Sequence, residues 1–217
     1  MLKAINAKTN MIILCNPNNP TGTKIERNEI IKIIEKAQEN NALVLVDEAY
    51  FDVCKETVID LINESNNLVV LRSFSKGAGL GGLRIGFLAS NREIIEVLLK
   101  AGSPYSVSSL SAIAALASMK DKKYTEKYIS DVLKAKEFIL NEFRKLGIKT
   151  YPSSANFFLA KFSNPKLIAE KLRKKGILVR NRSDYPLIEG CLRIGVGTQK
   201  QMRFFICKLK KILEELK

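Results

Sequence analysis

Four short, mostly apolar stretches do most to constrain this chain: Met11 to Cys15, Leu43 to Val46, Leu68 to Leu71 and Leu83 to Ala89, the last with its apolar run from Ile85. Each is strand-sized and far below the roughly 20 residues a membrane-spanning helix needs. Each therefore reads as a short buried strand. A helix-periodic stretch from Arg27 to Asn40 separates the first two, with Ile30, Ile33, Ile34 and Ala37 on one face. A helical piece near Val58 to Asn63 leads to the third run. Strands alternating with helices predict an α/β domain with a mainly parallel sheet. In such sheets functional residues gather beyond the carboxyl ends of the strands. Asn19, Asp47 and Ser73 each follow the end of a run.

Helices from about Arg92 to Lys100 and Ser109 to Met119 close this first domain, residues 1–118. Residues 119–217 have a different character. A long helix, about Tyr124 to Leu146, carries Tyr128, Val132, Ala135, Ile139, Phe143 and Leu146 at helical spacing. A strand at Asn156 to Lys161, a helix at Pro165 to Lys175, short strands near Leu178 to Arg180 and Cys191 to Ile194, and a final helix from Lys200 complete an α+β module.

Charge divides along the same line. The net charge is +14, yet residues 1–118 balance 12 basic against 12 acidic side chains, while residues 119–217 hold 24 against 10. No aromatic-basic motif, helix-turn-helix pattern or finger spacing points to nucleic acid. A basic second domain instead suits a solvated lysine-rich surface or an anionic small substrate.

There is no His, and the four cysteines (Cys15, Cys54, Cys191, Cys207) are scattered. That argues against the usual zinc sites, a disulfide framework and Ser-His-Asp or Cys-His machinery, so no metal is expected. Proton transfer near neutral pH falls to Lys, Asp, Glu, Tyr or Cys. Met1 to Ala7 lacks the apolar centre of a secretory signal, and no run is long enough for a membrane span, so the cytoplasm is the expected location.

Three motifs carry chemistry: Asn16-Pro17-Asn18-Asn19-Pro20-Thr21-Gly22, Asp47-Glu48-Ala49-Tyr50, and Ser73-Phe74-Ser75-Lys76-Gly77-Ala78-Gly79-Leu80-Gly81-Gly82-Leu83-Arg84. Each residue also has a plain structural reading. Asn19 suits a turn before proline, Asp47 a helix N-cap, Tyr50 a half-buried core position and Lys76 a solvated surface. Ser73, Ser75 and Arg84 together suit a phosphate, with two hydroxyl donors and a guanidinium. The glycines allow a sharp turn and close backbone approach.

In order and spacing, Asn19, Asp47, Tyr50, Ser73, Ser75, Lys76 and Arg84 resemble the class I and II (fold-type I) aminotransferases, which use pyridoxal 5′-phosphate. The resemblance implies a partial large domain of that fold plus a C-terminal small domain. It gives Lys76 the role of imine former and proton shuttle. Asp47 would pair with the pyridine nitrogen, Tyr50 and Asn19 would bind the phenolic oxygen, and Ser73, Ser75 and Arg84 would hold the phosphate.

Within the family, Val69 to Lys76, Gly82 to Phe87, Ala155-Asn156-Phe157, Gly176 to Arg180 and Cys191 to Thr198 look most like the histidinol-phosphate aminotransferase branch. The likeness assigns Arg193 to a substrate α-carboxylate and Arg180 to a substrate phosphate. It implies transamination of an amine phosphate with glutamate in histidine biosynthesis. Threonine-phosphate decarboxylase shares the phosphate requirement and stays open, as does a catalytically inactive fragment acting as an interaction module. One departure is Gly77-Ala78-Gly79, where the family more often places Ala-Phe-Gly. The likeness begins partway through the family pattern, so an N-terminal part with a second phosphate-binding turn is expected to be missing. Family members place the active site across a homodimer, which is expected of the full-length form.

Overall fold

The computed structural model describes residues 1–216, and contacts divide the chain into two units: Met1–Asn18 with Lys24–Thr125, and Asn19–Thr23 with Glu126 onward. The first unit is built on a four-stranded sheet of β1 (Met11–Cys15), β2 (Leu43–Asp47), β3 (Leu68–Ser73) and β4 (Gly86–Ser90), in that spatial order. β1, β2 and β3 run parallel, with Met11 opposite Leu43 and Val44 opposite Leu68, while β4 returns antiparallel to β3. The sheet is thus mainly parallel, as the alternation of runs predicts.

Helix α1 (Arg27–Gln38) buries Ile30, Ile33, Ile34 and Ala37 against Leu14, Val44, Val46, Leu68 and Val70. Truncating one of these isoleucines to alanine costs about 2–5 kcal/mol. Asn41 ends the helix in the left-handed region, φ 54°, while the Ala42 N–H returns to the Ala37 carbonyl. The Asn67 amide donates to the Ile34 and Ala42 carbonyls and ties the helix to the sheet.

Two sequence expectations change here. β1 is not fully buried: Met11 and Ile13 are exposed and Leu14 alone of its residues is buried, because β1 is an outer strand and α1 covers one face. The fourth strand begins at Gly86 rather than Leu83. Gly81–Leu83 form a turn of 3-10 helix and Arg84 takes φ 51°, a left-handed conformation that no strand accommodates. The one-turn helix α2 (Phe51–Cys54) and a 3-10 turn, Ile59–Asn63, connect β2 to β3. Helices α3 (Arg92–Ala101) and α4 (Ser109–Lys120) start at Asn91 and Ser108, whose side chains accept from the Ile94 and Ser111 amides.

The second unit packs helices against an antiparallel sheet ordered β5 (Phe157–Lys161), β7 (Cys191–Gly195), β6 (Arg180–Asn181). Phe158 and Ala160 of β5 and Leu192 and Ile194 of β7 face α5 (Lys122–Lys145), α6 (Pro165–Lys174) and α7 (Gln199–Glu214). Phe143 sits at the centre, edge-on to Phe158 at 5.3 Å and stacked on Phe205 at 6.1 Å. Thr198 and Gln201 form a reciprocal cap at the start of α7. Leu159 and Cys191 belong to a smaller cluster with Ile188 and Tyr151. Residues 19–23 divide with this unit. The Ser154 N–H donates to the Gly22 carbonyl at 2.7 Å, and a side chain at Gly22, φ 76°, would overlap Ser153.

Candidate active site

Asp47 closes β2, opposite Cys15 of β1 and Leu71 of β3. Its Oδ1 accepts from the Ala49 N–H at 2.9 Å, a local turn rather than a helix cap, and the Cys15 thiol lies 4.0 Å from Oδ2. Tyr50 follows, 5% exposed, with Lys76 Nζ 5.3 Å from its ring centre.

Two residues beside these were not singled out from sequence. Glu48, 2% exposed, accepts from Thr57 Oγ1, the Val58 N–H at 2.9 Å and Arg72 Nε at 3.0 Å, and is ion-paired with Arg72 Nη2 at 2.9 Å, while that Nη2 donates to Thr57 Oγ1 at 2.7 Å. The Arg72 guanidinium also lies 3.5 Å from the centre of the Phe51 ring. This buried pair joins the carboxyl ends of β2 and β3 next to Asp47 and Ser73. The signal that could have found them is the apolar sequence on either side, Leu43 to Val46 and Ala49-Tyr50-Phe51 around Glu48 and Leu68 to Leu71 before Arg72, which leaves a charged side chain there little solvent to reach.

Ser73 ends β3 opposite Gly86, and its Oγ accepts from the Ser75 N–H at 3.1 Å. Gly86 is required because a Cβ there would come within 2.5 Å of the Arg72 carbonyl. Ser73, Ser75 and Arg84 line one cavity of about 570 Å³, with Leu71, Phe87 and Leu98 among its apolar walls. Arg84 Nη1 donates to the Gly81 carbonyl at 3.1 Å.

In the second unit Arg193, from β7, donates from Nη1 to Asn19 Oδ1 at 2.7 Å and stacks on Phe157, 4.6 Å from its ring centre. Among the described residues its buried Nε has no hydrogen-bond partner. Arg180 of β6 stands directly opposite Arg193 in register. It lines a second cavity of about 470 Å³ with Lys166, Glu170, Arg173 and Asn181.

The family model of the aminotransferases of class I and II matches residues 1–209 of the chain. The chain belongs to that family. A relative in it, the histidinol-phosphate aminotransferase of Thermoanaerobacter pseudethanolicus, is 44% identical over 204 residues, covering 94% of this chain and 57% of its own length. The chain thus spans less than two thirds of this aminotransferase. Two solved structures share the fold. The histidinol-phosphate aminotransferase from Sinorhizobium meliloti, in complex with pyridoxal-5′-phosphate, has a TM-score of 0.85 at 24% identity, over 95% of this chain and 58% of that one. The L-threonine-O-3-phosphate decarboxylase from Porphyromonas gingivalis has a TM-score of 0.79 at 27% identity, over 94% and 65%. Among the described residues no helix is long and apolar enough to cross a membrane, and no group of His, Cys, Asp and Glu could hold a metal ion.

Proposed function

We propose that the protein containing this chain is a pyridoxal-phosphate-dependent aminotransferase that exchanges an amino group between histidinol phosphate and glutamate or 2-oxoglutarate. The observation that carries the reading is the cavity bearing Ser73, Ser75 and Arg84 on the turn that also bears Lys76. Two hydroxyls and a guanidinium lining one cavity are a donor set for a phosphate, so the residues present fit the cofactor.

When bound, pyridoxal phosphate supplies an electron-withdrawing ring that acidifies the substrate's α-proton. Arg84, Ser73 and Ser75 would grip its phosphate by charge-assisted and neutral hydrogen bonds. The Asp47 carboxylate would accept from the ring nitrogen and keep that nitrogen protonated. Tyr50 and the Asn19 amide nitrogen would donate to the phenolic oxygen; Asn19 Oδ1 already accepts from Arg193, which orients Nδ2 as a donor. Lys76 would hold the cofactor through Nζ and, once released, move a proton at the substrate α-carbon.

Arg193 would take a substrate carboxylate and Arg180 a substrate phosphate. Two arginines in register on neighbouring strands support a substrate with more than one negative charge. Glutamate carries an α-carboxylate and histidinol phosphate does not, so Arg193 would serve the two halves of the reaction differently. The homodimer and the cytoplasmic location belong to the same reading, as companions of a small-molecule biosynthetic enzyme.

The 27% identity to a threonine-phosphate decarboxylase favours a second reading, decarboxylation of an amino-acid phosphate at the same arginines. One assay separates the two. The protein is loaded with pyridoxal phosphate and given histidinol phosphate with 2-oxoglutarate, or threonine phosphate alone. Glutamate formation, lost in Lys76→Ala, supports transamination; release of carbon dioxide from threonine phosphate supports the second reading. Neither product would leave the chain as a family member without catalysis of its own, acting as an interaction module.

A further inference from the structure

The peptide bond that follows Lys76 is held from both sides. Its carbonyl, on Lys76, accepts from the Gly79 N–H at 3.1 Å, within the turn itself. Its N–H, on Gly77, donates to Asp52 Oδ2 at 3.0 Å, from a residue 25 positions earlier in α2. Gly77 is buried, so its N–H without Asp52 would be stranded away from water. The same one-turn helix is capped by Tyr50, whose ring lies beneath Lys76 Nζ. Helix α2 therefore touches Lys76 at its backbone and at the tip of its side chain.

The fit is mutual. A Cβ built on Gly77 would overlap the Asp52 carboxylate and come within 2.6 Å of the Asp52 Cβ. A rotamer change at Asp52 moves the carboxylate but leaves its Cβ in place. Any larger residue at 77 therefore displaces α2 itself, and with it the Tyr50 ring.

We infer that Asp52 is a positioning residue for Lys76: its carboxylate pins the Lys76–Gly77 peptide, and residue 77 is glycine to admit it. Its use in catalysis rests on the cofactor reading of Lys76 given above. The pinning itself does not, because it belongs to the chain without any bound group.

The test uses the full chain with Asp52→Ala, Asp52→Asn, Gly77→Ala, Asp52→Gly and the Gly77→Ala/Asp52→Gly pair. Hydrogen exchange of the Gly77 amide is measured first, without cofactor. Asp52→Ala speeds it by about tenfold, the cost of one charge-assisted hydrogen bond, whereas Asp52→Asn keeps an acceptor and stays near the wild-type rate. Pyridoxal phosphate is then added, trapped by borohydride, and the labelled lysines identified by mass. Lys76 labelling falls in Asp52→Ala and is rescued in Asp52→Asn. In thermal midpoint, Gly77→Ala costs less in the Asp52→Gly background than in the wild type. Equal exchange in wild type and Asp52→Ala overturns the inference, and so does additivity of the glycine pair. Exchange that responds as stated while Lys76 stays unlabelled in every protein upholds the pinning and overturns the cofactor reading.

Discussion

Arg193 Nη1 meets Asn19 Oδ1 at 2.7 Å, although 174 residues separate them. The contact orients a guanidinium that Phe157 supports from one side. Asn19→Ala removes that orienting bond. On the transamination reading proposed above, it is expected to raise the KM for glutamate by about tenfold, on the scale of a hydrogen bond to a charged group. Arg193→Lys loses the planar fork as well and is expected to do more harm. An unchanged KM in Asn19→Ala would show that Asn19 does not orient Arg193.

Glu48 and Arg72 form the buried ion pair beside the site, with side chains 1% and 17% exposed. Removing one partner strands the other. Glu48→Ala is expected to cost about 3–5 kcal/mol in denaturant unfolding, and Arg72→Ala a similar amount. The double substitution is expected to cost less than the sum of the two. Strict additivity would mean the two side chains do not act as a pair.

Glu142 accepts from Lys145 at 2.8 Å and from Lys210 at 2.7 Å, and these bonds hold its carboxyl down from 4.5 to about 2. A carboxyl whose folded pKa is depressed adds stability above its unfolded pKa and loses it as pH falls through the folded one. Wild type is therefore expected to exceed Glu142→Gln in thermal midpoint by a constant margin above about pH 5. The margin shrinks from about pH 4.5 and closes near pH 2. A margin that stays flat down to pH 2 contradicts the assignment.

Ile13 is 67% exposed on β1, an outer strand of the sheet. An exposed apolar strand edge is a template for pairing with another chain. Ile13→Lys is expected to reduce self-association of the chain, measured by light scattering over a concentration series. Unchanged association would place the adhesive surface elsewhere; the exposed Leu110, Ile113 and Leu116 of α4 would then be the next to replace.

Much of this was legible because its causes are local. The 3.6-residue spacing of Ile30, Ile33, Ile34 and Ala37 marked both α1 and its buried face. Strand ends delivered Asp47 and Ser73, and the three motifs pointed to the family. Boundaries slipped where a backbone conformation decided them: Arg84 at φ 51° delayed β4, which the sequence pattern started at Leu83, directly after the glycine-rich loop. The exposed side of β1 was invisible because an apolar run does not say how many of its faces are covered.

The sequence by itself determined the α/β and α+β character of the two halves, the order of their elements and the family. Period, turn chemistry and motif spacing act over a few residues and can be read in one dimension. Only the tertiary structure decided which distant groups meet: Arg193 with Asn19, Glu48 with Arg72, and the Asp52 carboxylate with the Gly77 N–H. Those pairs lie 174, 24 and 25 residues apart, and no local preference selects them. They follow from strand register and from the space each residue leaves for the other, which exist only once the sheets have formed.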